Sequence, residues 1–99
     1  MKIIKRIENG TAVLFIDGQL TAQVVSFFDE TLKKALGEDK QIILDFKNVE
    51  FIASAVLRVL LTVEKKLKLA NGGITIRNAN EVVMEVFRLT GLKDFLTIV

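Results

Sequence analysis

The chain contains no cysteine and no histidine, and proline, tryptophan and tyrosine are also missing. Without a thiol or an imidazole it has no cysteine nucleophile, no histidine general base and no His/Cys zinc site, which removes most familiar hydrolase chemistry. Disulfides are excluded too, so packing alone must hold the fold, as suits a reducing compartment. In the absence of proline, six glycines are left to punctuate the elements. No apolar run reaches the roughly 18 to 20 residues that a membrane span needs. Met1-Lys2-Ile3 leads into charged residues instead of a signal-peptide core. A strong excess of one charge is lacking as well, with 14 basic residues against 12 acidic ones. Apart from Lys65, Lys66 and Lys68 the basic residues are scattered, too thinly for a nucleic-acid footprint. The expectation is a cytoplasmic protein with no cofactor, no metal, no direct nucleic-acid contact and no membrane insertion.

What is present is an ordinary globular composition, 51% hydrophobic and 26% charged over 99 residues. That length has room for one core, so residues 1–99 are read as a single domain. No internal repeat, linker or low-complexity stretch divides it.

Lys2 to Ile7 and Thr11 to Ile16 are short stretches rich in Ile, Val and Phe. The Asn9-Gly10 step between them is a strong hairpin signal, which predicts an antiparallel pair. Asp17 to Leu20 closes the second strand, and Thr21 stands where a helix N-cap belongs. From Ala22 the period changes: Val24, Phe27, Phe28, Leu32, Ala35 and Leu36 fall at helical spacing on one face, and Gly37 ends the helix. Gln41 to Phe46, with its uninterrupted Ile42-Ile43-Leu44, reads as a central strand covered on both faces. A second helix follows Ser54, with Val56, Leu60, Val63, Leu67 and Ala70 along its apolar stripe and Asn71-Gly72-Gly73 as its stop. Ile74 to Ile76 forms a short strand. Asn78 or Asn80 caps a third helix whose buried face is Val82, Val83, Val86 and Phe87, and the stretch from Leu92 to Val99 packs as a final turn and edge strand. Alternating strands and helices predict an α/β layer with strands 3 and 4 parallel and helices mainly on one face.

Phosphate-cradling glycine motifs are absent, since Gly72-Gly73 follows a helix and does not open one. Asp17 and Asp45, both near strand ends, are read as turn or cap residues in preference to a catalytic carboxylate pair. Ser54 is the informative polar residue because it interrupts an apolar passage where a strand hands over to a helix. Two readings stand: an N-cap hydroxyl that satisfies a free backbone N–H, or a hydroxyl that takes a phosphate at a helix start of favourable charge. Arg58, one turn further on, is either a surface arginine or a group that helps hold an anion or a partner's carboxylate. Lys65, Lys66 and Lys68 read as the solvated face of their helix.

The segment Leu44-Asp45-Phe46-Lys47-Asn48-Val49-Glu50-Phe51-Ile52-Ala53-Ser54-Ala55-Val56-Leu57-Arg58 resembles the signature of STAS domains of the anti-sigma factor antagonist type, roughly L-D-L-x-x-V-x-F-[IM]-[DS]-S-[ST/A]-G-L. Leu89-Thr90-Gly91-Leu92 with Phe95 and Ile98 resembles that family's ending, and Gly18-Gln19-Leu20 its G-x-L turn. The resemblance spans nearly the whole chain. It implies a four- to five-stranded mixed sheet and a protein, not an enzyme, that binds an anti-sigma factor. That partner is a serine kinase of the histidine-kinase-like ATPase fold, and binding it releases a sigma factor. In that family phosphorylation breaks the complex, and for this chain the resemblance leaves two readings: Ser54, the nearest available acceptor, is phosphorylated, or the chain is an unswitched binder that takes no phosphate. The implied partner surface comprises Thr21, Ala53, Ser54, Ala55 and Arg58. Ala53 stands where many members have Asp, Ala55 occupies the position usually phosphorylated in the D-S-[ST]-G form, Val56 replaces Gly, and Thr21 stands where an acidic residue often follows the G-x-L turn. The alternative implied by the same family is a STAS subunit of a membrane transport assembly with no phosphorylation cycle.

Overall fold

The computed structural model describes all 99 residues. Strands β1 (Lys2–Glu8) and β2 (Thr11–Asp17) form the antiparallel hairpin, in register from Lys2 opposite Asp17 to Glu8 opposite Thr11. The turn works because Asn9 (φ 51°) and Gly10 (φ 81°) both take positive φ, as the twist of a two-residue hairpin demands. A 3-10 turn at Ala22–Val24 leads into helix α1 (Val25–Leu36), followed by β3 (Gln41–Asn48), α2 (Ser54–Leu69), β4 (Gly73–Arg77) and α3 (Glu81–Leu89). A second 3-10 turn at Leu92–Asp94 delivers the two-residue strand β5 (Thr97–Ile98). The sheet order is β1-β2-β3-β4-β5, with every pair after the hairpin parallel. No helix is long and apolar enough to cross a membrane.

Strand alternation sends Ala12, Leu14 and Ile16 of β2, Ile42, Leu44 and Phe46 of β3, and Ile74 and Ile76 of β4 into one core with the helices. Phe28 and Leu32 of α1, Val56, Leu60 and Val63 of α2, and Val83 and Phe87 of α3 complete it. Phe46 and Phe87 stack at 6.3 Å between ring centroids. Each of these large side chains contributes about 1.5 to 3 kcal/mol on leaving water, and together they replace the disulfides the chain cannot make.

Three expectations are corrected. Helices cover one face only, so β3 is central in the strand order yet its Ile43 is just half-buried on the uncovered side. That side is furnished by Ile4, Arg6, Val13, Phe15, Asp45 and Arg77, and the guanidinium groups of Arg6 and Arg77 lie over the Phe15 ring at 5.6 and 5.5 Å. Phe27 of α1 and Val82 of α3 are exposed, at 54% and 57%, although helical spacing assigned both to buried faces. Each lies at the margin of an apolar stripe that is wider than the layer it packs on.

One close approach fixes the start of β4. A side chain at Gly72 would place its Cβ 1.9 Å from the Lys40 carbonyl oxygen, so the residue must be glycine. The same approach lets the Gly73 N–H donate to that oxygen at 2.9 Å. Beside it the buried Glu64 carboxylate accepts from the Ile74 N–H at 3.1 Å.

Candidate partner-binding site at the start of α2

The loops leaving β2 and β3 are laced together. Gly18 N–H donates to Asn48 (3.2 Å), Leu20 N–H to Phe51 (3.1 Å) and Ala53 N–H to Leu20 (2.8 Å), making a short parallel bridge between Leu20 and Ile52. This lacing brings Thr21 beside Ala53 and Ser54 although they lie more than thirty positions apart in sequence. Asn80 secures the loop from the other side. Its Oδ1 accepts from the Val83 N–H at 2.8 Å, capping α3, and its Nδ2 donates to the carbonyls of Val49 (3.3 Å) and Glu50 (3.4 Å). Of the two asparagines proposed as caps, Asn80 is therefore the cap. Asn78 takes φ 61° and donates instead to Asp45.

Asp45 anchors the end of β3. Its carboxylate is 4% exposed and accepts from Arg77 Nε (2.8 Å), Asn78 Nδ2 (2.9 Å) and the Lys47 N–H (2.9 Å). Burial pushes this carboxyl's pKa up, but the Arg77 hydrogen bond, the Lys47 and Asn78 hydrogen bonds and the Arg77 charge outweigh it and hold the group below the usual carboxylate range. Arg77 is shared: Nη1 also donates to Glu8 at 3.1 Å, and the hydrogen bonds it donates to Glu8 first and Asp45 second raise its own pKa. Asp17, exposed and paired in register with Lys2 and Asn48, makes no hydrogen bond to Asp45. Asp45 is thus a structural anchor within β3, neither the turn nor the cap residue expected of it.

Of the two cap assignments, Thr21 holds its N-cap position and Ser54 is corrected. Thr21 has the extended backbone of an N-cap but its side chain makes no capping bond. At α2 the N-cap is Ala53, and Ser54 is the first helical residue, exposed, its hydroxyl bonded to nothing. With ψ at 150°, Ala53 already takes the cap conformation, so Ser54 Oγ lies one residue too late to reach the free amides of the first turn.

From this helix start a groove of 380 Å³ runs between α1 and α2. Ala55, Arg58, Val59 and Thr62 supply its α2 wall, and Val25, Ser26, Asp29 and Lys33 its α1 wall. Arg58 is exposed and forms no ion pair, whereas Lys33 is paired with Asp29 at 3.2 Å. Thr62 Oγ1 is occupied by a 2.9 Å bond to the Arg58 carbonyl. The five residues named from sequence thus divide into a laced rim, Thr21, Ala53 and Ser54, and a groove wall, Ala55 and Arg58. Sequence reasoning missed Ser26, Asp29 and Lys33. Their i, i+3, i+7 spacing marks one face of α1, but only the tertiary packing says that this face meets α2.

These features define a small α/β domain built around a strand–loop–helix junction, with an exposed serine opening the helix and a groove beside it. The chain belongs to the STAS domain family, whose model matches residues 2–99. Among solved structures it resembles a candidate anti-sigma factor antagonist of Thermotoga maritima (TM-score 0.87, 23% identity, 97% of this chain and 84% of that one). It also resembles the anti-sigma factor antagonist SpoIIAA in its unphosphorylated form (TM-score 0.79, 20% identity, 99% and 88%). The Bacillus SpoIIAA structure in the phosphorylated form aligns as well (TM-score 0.69, 19% identity, 99% and 91%). A murine anion transporter of solute carrier family 26 shares the fold over 90% of this chain but only 16% of its own length (TM-score 0.78, 15% identity). A search of curated proteins by sequence finds no match.

Proposed function

We propose that this chain is a cytoplasmic anti-sigma factor antagonist that acts by binding and not by catalysis. Its partner is an anti-sigma factor that is a serine kinase of the histidine-kinase-like ATPase fold, and binding it frees a sigma factor. The contact surface is the rim of Thr21, Ala53 and Ser54 with Ala55 and Arg58 of the groove wall. Phosphorylation of Ser54 ends the complex. The single observation that carries this reading is the exposed Ser54 hydroxyl, unengaged by the fold, at the first turn of α2. A phosphate there adds nearly two negative charges to a surface that must desolvate against a partner. Kinship with structures of SpoIIAA in both phosphorylation forms supports it.

The test is incubation with the cognate kinase-type anti-sigma factor and ATP, read by mass spectrometry, with binding followed before and after. One phosphate on Ser54 and loss of the complex are expected. Phosphate at another residue, or binding that persists after Ser54 is modified, removes Ser54 from the switch. The second reading, a STAS subunit of a membrane transport assembly, draws on the anion-transporter neighbour. Binding to a transport protein with none to any such kinase would favour it.

A further inference from the structure

The sheet ends on β1, a seven-residue strand paired on one side only, whose Ile4 and Ile7 are 43% and 62% exposed. The other edge, β5, is only two residues long. A long bare edge is a template for another strand, and proteins blunt such edges with charges that repel a second copy. On β1 the charges are arranged differently. In an antiparallel pairing of β1 with its own copy about a two-fold axis through Lys5, Lys2 faces Glu8 and Ile3 faces Ile7, each twice, while Ile4 faces Arg6. Shifting the sum of paired positions by one sets Ile3 against Arg6 or Lys5 against Arg6, and shifting it by two sets Lys2 against Arg6 or Arg6 against itself. Among the registers that pair at least five residues of the strand, only the one through Lys5 joins opposite charges and apolar pairs together, and both favour pairing across strands.

The sheet geometry agrees with this register. Ile3, Lys5 and Ile7 face the helix layer, and Lys2, Ile4, Arg6 and Glu8 face the uncovered side, so Ile3 to Ile7 contacts would extend the core face while the Lys2 to Glu8 pair spans the open one. Lys2 makes no ion pair within the chain, and the Glu8 carboxylate, although held by Arg77, is still 41% exposed. The one unfavourable pair, Lys5 opposite Lys5, is offset by Asp39, whose Oδ2 lies 2.5 Å from the Lys5 Nζ in each copy. We propose that β1 is a self-complementary edge that takes a second copy of this chain, joining two five-stranded sheets into one of ten across a two-fold axis at Lys5.

The absence of cysteine makes the test direct, because an introduced thiol is the only one in the protein. Lys5→Cys puts two thiols opposite each other on the axis, with Cβ atoms at the roughly 4.5 to 5.5 Å of facing residues, a separation a small adjustment brings into disulfide range. The expected result under mild oxidation is a disulfide dimer forming on the order of tenfold faster than for the exposed control Lys47→Cys, since pairing raises the local thiol concentration. A second experiment keeps Lys5 intact: Lys2→Cys mixed with Glu8→Cys should crosslink to each other faster than either does to itself. Equal rates for Lys5→Cys and the control, or self-crosslinking of Lys2→Cys that matches the mixture, would overturn the proposal.

Discussion

Replacing Asp45 by Asn tests whether the junction before Ser54 is held by charge. Three donors, Arg77 Nε, Asn78 Nδ2 and the Lys47 N–H, converge on a carboxylate that is 4% exposed. An asparagine offers one acceptor oxygen and turns an N–H₂ toward the remaining donors, so at least one donor loses its partner. Breaking a buried ion pair costs about 3–5 kcal/mol. The Arg77 side chain keeps 27% of its surface in water and also keeps Glu8, which lowers that figure. Hydrogen bonds to charged groups are worth about 1.5–3 kcal/mol each, and the expected net loss is about 2–3 kcal/mol. For a domain of this size that corresponds to a fall in Tm of roughly 10–20 °C. The dependence on pH has a definite sign. The pKa of Asp45 is lower in the folded state than the unfolded value of about 3.9. Its stabilisation is therefore fully present above that unfolded value and is lost as pH falls through the folded one. Urea unfolding of both proteins between pH 7 and pH 2, taken as a difference, isolates this group from the other carboxylates. The gap should be constant at neutral pH and close in the acid range. A gap under about 0.5 kcal/mol at pH 7, or one that stays unchanged down to pH 2, would refute the reasoning.

Ser54→Ala separates the two readings of that residue by stability alone. With no capping bond to lose, the variant should unfold within about 0.5 kcal/mol of the parent, where loss of a true cap costs about 1 kcal/mol. Asn80→Ala removes the α3 cap and both ties to the Val49 and Glu50 carbonyls. Its expected cost is about 1–2 kcal/mol, with faster amide hydrogen exchange in residues 49–53 as the accompanying sign; unchanged exchange there would show that Asn80 does not hold the loop.

The strands, helices and their order were legible because each announces itself locally: Asn9-Gly10 names its turn, and the apolar steps from Val56 to Leu67 carry a helical period. What could not be read was how side chains divide between layers. Phe27 and Val82 have the right spacing and the wrong position, because a helix resting on one sheet buries a narrower stripe than its hydrophobicity suggests. The cap at Ser54 failed by one residue, within the usual uncertainty of a helix boundary, and yet that residue decides whether the hydroxyl is occupied or free. The role of Asp45 depends on Arg77 and Asn78, which lie more than thirty positions away and become neighbours only when β4 pairs with β3. Likewise Ser26, Asp29 and Lys33 enter the groove only through the packing of α1 on α2.

That division bears on how a switch at Ser54 would work. The junction is anchored on three sides, by Asp45 at the end of β3, by Asn80 from α3 and by the Leu20 to Ala53 lacing from β2. None of these bonds uses the Ser54 hydroxyl. A phosphate added there breaks no bond of the fold, and its partial stabilisation by the helix start lets the domain tolerate the charge. The same anchoring keeps the loop from swinging the charge away, so the cost of desolvating it falls on whatever surface packs against α2. A loosely held loop would relax and blunt the signal. Under the switch proposed for Ser54, junction stability and the sharpness of the signal have the same origin, which predicts that Asn80→Ala would weaken the discrimination between modified and unmodified protein even where binding of the unmodified form survives.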